Sequence, residues 1–139
     1  MAEHGEESSG GLGWLGVALI VVLAAGGSEG GRAAPGGLSR SEVAEVARKV
    51  GFTSWRVSEA VRVAECESGL RPNVEGDRNL QNRVWGPSIG LWQIRSKRGD
   101  WGTGRVRDAT RLKDPTFNAN AAFVISEGGR DWSKWTCGP

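Results

Sequence analysis

Glu65-Cys66-Glu67-Ser68-Gly69 lies where a predicted helix stops. Ser54 is a candidate cap for this helix, and Ser68-Gly69 ends an apolar pattern at helical spacing, formed by Val57, Ala60, Val61 and Ala64. At such a helix end the dipole and the reduced solvation both disfavour a charged carboxylate. We therefore expect Glu67 to keep its proton and to serve as a general acid. The alternative is a solvated carboxylate at an ordinary helix end.

Two further helices are predicted around this one. Ser39 and Glu42 have the spacing of a capping box, and the apolar pattern that follows, Val43, Ala44, Val46, Ala47 and Val50, runs to Gly51. Asp114-Pro115 predicts an N-cap and a first-turn proline, and a third apolar pattern, Phe117, Ala121, Ala122, Val124 and Ile125, continues to Gly128-Gly129. Residues 70–113 are rich in loop-forming residues, with one β-compatible piece at Ile89–Ile94. These patterns predict a mainly α (α+β) domain over residues 39–139.

The segment before this domain has a different composition. Residues 1–11 form a polar, acidic tip, residues 12–27 are hydrophobic, and residues 28–38 form a Gly-rich linker. The 21 residues from Ser8 to Ser28 carry no charge, so we expect residues 12–27 to form a transmembrane anchor that contacts the lipid membrane. A cleaved signal peptide and a buried core helix are the alternatives; the acidic residues before the segment argue against cleavage.

Composition excludes several kinds of site. The 139 residues contain two Cys and one His, His4, which is too few for a disulfide-rich scaffold or a Cys/His zinc site. No metal and no organic cofactor are expected. Residues 39–139 carry 17 basic and 12 acidic side chains, hence +5, which favours an anionic partner. The basic residues are scattered among loops, and no groove-reading helix or stacking motif accompanies them, so nucleic acid is not the expected partner.

The order of the motifs resembles the lysozyme-like, soluble-lytic-transglycosylase-type domains of phage and actinobacterial proteins. The resemblance covers roughly residues 40–137 and rests on Glu67-Ser68-Gly69, Gly76-Asp77, the segment 85–95, Gly102-Thr103-Gly104, Arg107-Asp108 and residues 114–119. It implies that Glu67 is the catalytic acid/base. It also implies that Ser88 and Gln93 line a cleft and bind the sugar N-acetyl groups, and that Gly90 lets the backbone approach the glycan.

Several aromatic and amide residues have two interpretations. Trp92 either offers a ring face to a sugar or belongs to the core, whereas Trp85, Trp101, Trp132 and Trp135 are interpreted as packing residues. Asn118 matches an Asn that the family places beneath the cleft and is a candidate substrate-binding residue, but it could also assist a helix cap. Many members of the family carry a Tyr near the catalytic Glu. This chain has no Tyr, and Phe123 is the nearest candidate for that space.

The resemblance implies cleavage of the β-1,4 bond between N-acetylmuramic acid and N-acetylglucosamine in peptidoglycan. A lytic transglycosylase can use Glu67 alone, whereas a muramidase needs a second carboxylate. Asp77 is the candidate, because goose-type lysozymes carry a similar Gly-Asp; it could equally be a turn-forming Asp. Asp100 and Asp108 lie among Arg and Lys residues, where salt-bridged surface roles are expected. The transglycosylase is the leading interpretation.

Cys66 and Cys137 are candidates for a disulfide, which would imply an oxidising compartment or an extracellular virion. Two unpaired thiols are the alternative. The expected location is membrane-anchored, in a phage virion or in a bacterial envelope, with other virion proteins as further partners in the first case. A non-catalytic protein that grips glycan or serves as structure is the rival to an enzyme, although Glu67, Ser88 and Gln93 together argue against it.

Overall fold

The computed structural model describes residues 33, 35–99 and 105–139. They form three α-helices, α1 (Arg40–Val50), α2 (Ser54–Ser68) and α3 (Pro115–Ile125), and three strands, β1 (Glu75–Gly76), β2 (Trp85–Ile89) and β3 (Ile94–Lys97). Short 3₁₀ helices span Arg78–Leu80 and Arg111–Lys113. This is the expected mainly helical domain with a small sheet. The predicted anchor at 12–27, Asp100 and Trp101 lie outside the described residues, and the predicted domain boundaries stay predictions.

Within the described ranges, no helix is both long enough and apolar enough to cross a membrane.

The predicted capping box begins α1. The Ser39 hydroxyl accepts the Glu42 N–H at 3.2 Å, and the Ser39 N–H donates to Glu42 Oε2 at 2.7 Å. The Ser39 backbone N–H and, after it, the Ser39 hydroxyl hold the pKa of the Glu42 carboxyl below its usual value. The helix ends at Gly51, whose φ of 117° suits a residue without a Cβ. Local sequence chemistry therefore specifies both ends of α1.

The start of α2 differs from the expectation by one residue. Thr53 is the N-cap and Ser54 is the first helical residue, and the Thr53 side chain makes no capping hydrogen bond. The apolar pattern is confirmed, because the predicted core positions of α2 and Val63 are all buried. Since α2 has a buried face of small and β-branched residues, it can pack closely against α1.

Helix α3 begins as predicted, because Asp114 Oδ1 accepts the Phe117 N–H at 2.8 Å and Pro115 occupies the first turn. It ends earlier, at Ile125, before Gly128-Gly129. Its buried face also differs from the apolar pattern. Val124 is 52% exposed, whereas the polar Asn118 is fully buried.

The sheet is antiparallel in the order β1-β2-β3. Gly76 pairs with Ser88, and Ile89 pairs with Ile94 across a tight turn. The expectation of a β segment over Ile89–Ile94 was therefore wrong in its position, because only its two end residues belong to strands and residues 90–93 form the turn between β2 and β3. Gly90 and Gln93 adopt positive φ values of 82° and 46°, which end the extended conformation.

An aromatic cluster closes the core beside the helices. Trp132 stacks on Phe52 with ring centroids 6.0 Å apart and meets Trp135 edge-on at 4.8 Å. Phe123 contacts Phe52 edge-on at 5.2 Å. Trp132 and Trp135 are buried, so the packing role predicted for these two is confirmed.

Candidate active site

Glu67 lies in the last turn of α2. The helix stops there because Gly69 and Leu70 both adopt left-handed conformations, with φ values of 62° and 61°. The buried Ser68 hydroxyl donates back to Ala64 O at 2.9 Å. The half-buried side chain of Glu67 thus extends from a well-defined helix end.

The C-terminal segment is fixed beside Glu67. Cys66 and Cys137 form a disulfide that joins positions 71 residues apart, with their Cα atoms separated by 6.0 Å. The Cys137 N–H donates to Glu67 Oε1 at 3.1 Å. The Trp135 indole N–H donates to Trp92 O at 2.7 Å. One covalent bond and two hydrogen bonds therefore hold this segment against the end of α2 and the core.

An open cleft of about 520 Å³ lies in front of Glu67. Four of the residues predicted from the sequence line it: Glu67, Asp77, Ser88 and Gln93. The structure thus brings together residues from α2, the loop after β1, the strand β2 and the β2–β3 turn. A glycosidase that hydrolyses its substrate uses two carboxyl groups in one cleft, whereas a lytic transglycosylase can use one.

Asp77 directly follows β1 and has a left-handed φ of 56°. Its Oδ2 accepts the Ser88 hydroxyl at 2.5 Å. Because Gly76 pairs with Ser88, Asp77, which follows Gly76, lies close to Ser88. The Ser88 hydroxyl is therefore engaged by Asp77 rather than free, and its predicted contact with an N-acetyl group stays a prediction.

Gln93 supports the turn as well as lining the cleft. Its Nε2 donates to Val74 O and to Gly90 O, each at 3.0 Å. The side-chain amide nitrogen has two N–H donors, and these two backbone carbonyl groups accept both. A Cβ at Gly76 would clash with Gln93 Oε1, so Gly76 makes room for this side chain. The predicted contact with the sugar would have to use the carbonyl oxygen of Gln93.

The structure corrects the roles predicted for Gly90 and Asn118. A Cβ at Gly90 would clash with Asn118 Nδ2 and lie 2.7 Å from Leu112 O, so Gly90 allows close packing against these two residues. Gly90 is buried and does not line the cleft, so the predicted approach to glycan is not its role in this structure. The fully buried Asn118 accepts the Trp92 N–H at 2.9 Å and donates to Ile89 O and Leu112 O at 2.8 Å. It positions the β2–β3 turn and cannot contact substrate.

The sugar-binding interpretation of Trp92 is also wrong. Trp92 is 0% exposed, and its indole N–H donates to Ala60 O at 2.9 Å. A ring enclosed by the core has no face to offer to a sugar.

Phe123, the expected occupant of the space near Glu67, does not line the cleft. That ring packs against Gly51, Gly128 and Phe52, whereas Ile125 is the α3 residue that lines the cleft. The expectation for Phe123 was wrong because α3 turns it away from the cleft and toward the aromatic cluster.

Sequence reasoning missed the cationic part of the cleft. Arg95, Arg107 and Lys134 line it together with Trp85 and Trp135. Burial lowers the pKa of the half-buried Arg107 guanidinium, although an Arg side chain stays charged at neutral pH. Both arginines stand in motifs on which the resemblance rests, Arg95 in the segment 85–95 and Arg107 in Arg107-Asp108, but neither motif indicated that its arginine lines the cleft. Asp108 Oδ1 accepts the Thr110 and Arg111 N–H groups.

Residues 44–137 match the family described as lysozyme like domain. A search of curated proteins finds no match to the chain. The matched segment is well over half of the 139 residues and includes every residue that lines the cleft. The small sheet beside three helices and the carboxyl group at the end of α2 agree with this assignment. The chain therefore belongs to the family of lysozyme-like domains, with peptidoglycan as the implied substrate.

Proposed function

We propose that this domain cleaves the β-1,4 bond between N-acetylmuramic acid and N-acetylglucosamine as a lytic transglycosylase. The observation that carries the proposal is the half-buried carboxyl group of Glu67, which lines the cleft and is oriented by the Cys137 N–H. One positioned carboxyl group suffices for this chemistry.

The reaction needs Glu67 first as an acid and then as a base. Glu67 donates its proton to the glycosidic oxygen as the bond between that oxygen and C1 of the muramyl residue breaks. The Glu67 carboxylate then takes the proton of the C6 hydroxyl of the same residue, and the O6 atom bonds to C1. The products are a 1,6-anhydromuramyl end and a free N-acetylglucosamine end, and Glu67 is protonated again.

A muramidase is the second candidate, because Asp77 lines the same cleft. The hydrogen bond from Ser88 holds one oxygen of Asp77 and leaves the other available to a water. In that reaction water replaces the C6 hydroxyl as the attacking group, and the product has a reducing end.

The test is mass spectrometry of the products that the full 139-residue chain releases from purified peptidoglycan. Glu67→Gln keeps the shape of the side chain and removes the proton, so release should fall by at least about 100-fold. Glu45→Gln is the matched control, because Glu45 lies on the exposed surface of α1 outside the cleft.

Anhydromuramyl products that disappear with Glu67→Gln would establish the transglycosylase. Reducing-end products that also disappear with Asp77→Asn would establish the muramidase. Absence of release by the unaltered chain would overturn both and favour a glycan-binding or structural protein.

We also propose that residues 12–27 anchor the domain to a membrane, either in a virion or in a bacterial envelope. The uncharged segment Ser8–Ser28 supports this proposal. Sedimentation with membranes after alkaline carbonate washing, combined with N-terminal sequencing, tests it. A soluble chain that begins after residue 25 would instead indicate a cleaved signal peptide.

A further inference from the structure

Three cations surround one ring at the edge of the cleft. The Arg95 and Arg107 guanidinium carbons lie 5.9 Å and 5.2 Å from the centroid of the Trp85 ring, and Lys97 Nζ lies 4.9 Å from it. Each distance is within the range of a cation–π contact. Trp85, Arg95 and Arg107 also line the cleft that contains Glu67.

Backbone carbonyl groups hold both guanidinium groups in place. Arg107 Nη1 donates to Arg95 O at 2.7 Å, and Arg95 Nε donates to Gly86 O at 2.9 Å. Arg95 Nη2 also donates to Leu80 O. A guanidinium has five N–H donors, so these bonds orient each group and leave donors for a further ligand.

Four other arginines of the described residues, Arg48 among them, lie within ion-pair distance of a carboxylate. Arg40 and Arg78 pair with Glu65 and Glu75, and Arg56 lies 3.9 Å from Glu59. Among residues 35–99 and 105–139, no carboxylate oxygen lies within 4.0 Å, the limit for an ion pair, of a guanidinium nitrogen of Arg95 or Arg107. Partly buried cations of this kind are stabilised by an anion, and a fixed guanidinium binds a carboxylate through two parallel hydrogen bonds.

We propose that Arg95 and Arg107 form a carboxylate-binding subsite of the cleft, which takes a carboxylate carried by the muramyl residue of the substrate. This inference rests on the proposed function. In a peptidoglycan strand the N-acetylglucosamine residues are uncharged, whereas the muramyl residues carry carboxylates on their peptide stems or, once the stem is removed, on the lactyl group. The subsite therefore distinguishes the two sugars by charge and fixes which of them lies next to Glu67.

The test measures binding in the full chain with Glu67→Gln, so that no ligand is cleaved. Three soluble probes of equal glycan length are compared: muropeptide oligomers with stems, the same oligomers after amidase treatment, and N-acetylglucosamine oligomers. Replacing Arg107 or Arg95 by Gln should weaken binding of a carboxylate-bearing probe about 10-fold, because the substitution removes one pair of charge-assisted hydrogen bonds. Binding of the uncharged oligomer should change by less than about twofold.

The matched control is Arg62→Gln, which removes the same charge from an exposed position of α2 outside the cleft. Arg107→Lys should recover part of the lost affinity, because it keeps the charge but not the planar fork. If the loss occurs only with stems present, the stem supplies the carboxylate; if it persists after amidase treatment, the lactyl group does.

The proposal is overturned if Arg107→Gln and Arg95→Gln leave binding of both carboxylate-bearing probes unchanged, or weaken the uncharged probe equally. It is also overturned if neither carboxylate-bearing probe binds. The outcome is separable from the test of catalysis. Arginine-dependent binding in a chain that releases nothing from peptidoglycan would retain the subsite and reject the enzyme.

Discussion

Glu67 and the turn between β2 and β3 face the same cleft but are held there by different interactions. Glu67 stands beside a disulfide and one backbone hydrogen bond from Cys137. The turn is held by two hydrogen bonds of the buried Asn118 amide, which accepts the Trp92 N–H and donates to Ile89 O, and a third bond joins this amide to Leu112 O. One side of the cleft therefore depends on a covalent crosslink near the surface, and the other depends on polar groups sealed in the core.

This difference predicts that a substitution can disrupt the structure on one side of the cleft and leave the other side intact. Removing a crosslink acts largely through the entropy of the unfolded chain and frees the crosslinked segment locally. Removing a buried amide leaves donors and acceptors unpaired, and this cost falls on the folded state itself. Each prediction below acts on one of the two sides.

The largest effect is expected for the double variant Cys66→Ser, Cys137→Ser. Opening a crosslink between positions 71 residues apart should lower the free energy of unfolding by about 4 kcal/mol in the chain-entropy model. Urea unfolding measures this change. In this variant, hydrogen exchange should show loss of protection at the backbone N–H of position 137, while the Trp92 N–H stays protected. The unaltered chain in reductant is the control, and equal loss of protection at both amides would contradict the separation.

Asn118→Ala should lower the free energy of unfolding by about 3 kcal/mol, because three buried backbone groups lose their partners. Thermal or urea unfolding measures the change. Asn120→Ala is the matched control on the exposed side of α3 and should change stability by at most about 0.5 kcal/mol. A similar small change for both variants would show that the turn is held by other contacts.

Gly76→Ala should cost about 1 kcal/mol, because the new methyl group displaces the Gln93 side chain from its two carbonyl acceptors. A double-mutant cycle with Gln93→Ala tests the cause. In the Gln93→Ala background the clash is absent, so the effect of Gly76→Ala on unfolding should largely vanish. Additive effects of the two substitutions would reject this explanation.

The smallest effect concerns pH and the C-terminal segment. The Ser133 hydroxyl and backbone N–H lower the pKa of Asp131 from 3.8 to about 2. Because the folded-state pKa is the lower one, this stabilisation is present above about pH 4 and disappears as the pH falls toward 2. Asp131→Asn should therefore flatten the pH dependence of unfolding in that window. Parallel curves for the two proteins would contradict the expectation.

Local sequence signals predicted the helices, because capping and apolar spacing act within a few residues. The Ser39–Glu42 capping box and Asp114-Pro115 both form as predicted. The one-residue difference at Thr53 arises because neither candidate cap there makes a side-chain hydrogen bond that would specify the start.

The β2–β3 turn and the cations of the cleft depend on contacts between residues that are distant in sequence. Residues 89–94 contain enough apolar side chains to suggest a strand, but Asn118 draws Gly90 into a turn and Trp92 into the core. Arg107 reaches the cleft through a loop and bonds to Arg95 O. Residue type and spacing identified the carboxyl groups of the cleft, whereas they could not show which polar residues become buried and which cations converge.

The bond between Cys66 and Cys137 also concerns the cell that makes the protein. Disulfides form and persist in oxidising surroundings and are rare where thiols are kept reduced. If Glu67 performs the proposed chemistry, the newly made chain lacks the crosslink beside its acid until it reaches such surroundings. For a chain that meets the wall polymer in such surroundings, the segment that orients Glu67 would be fixed in the same place as the substrate.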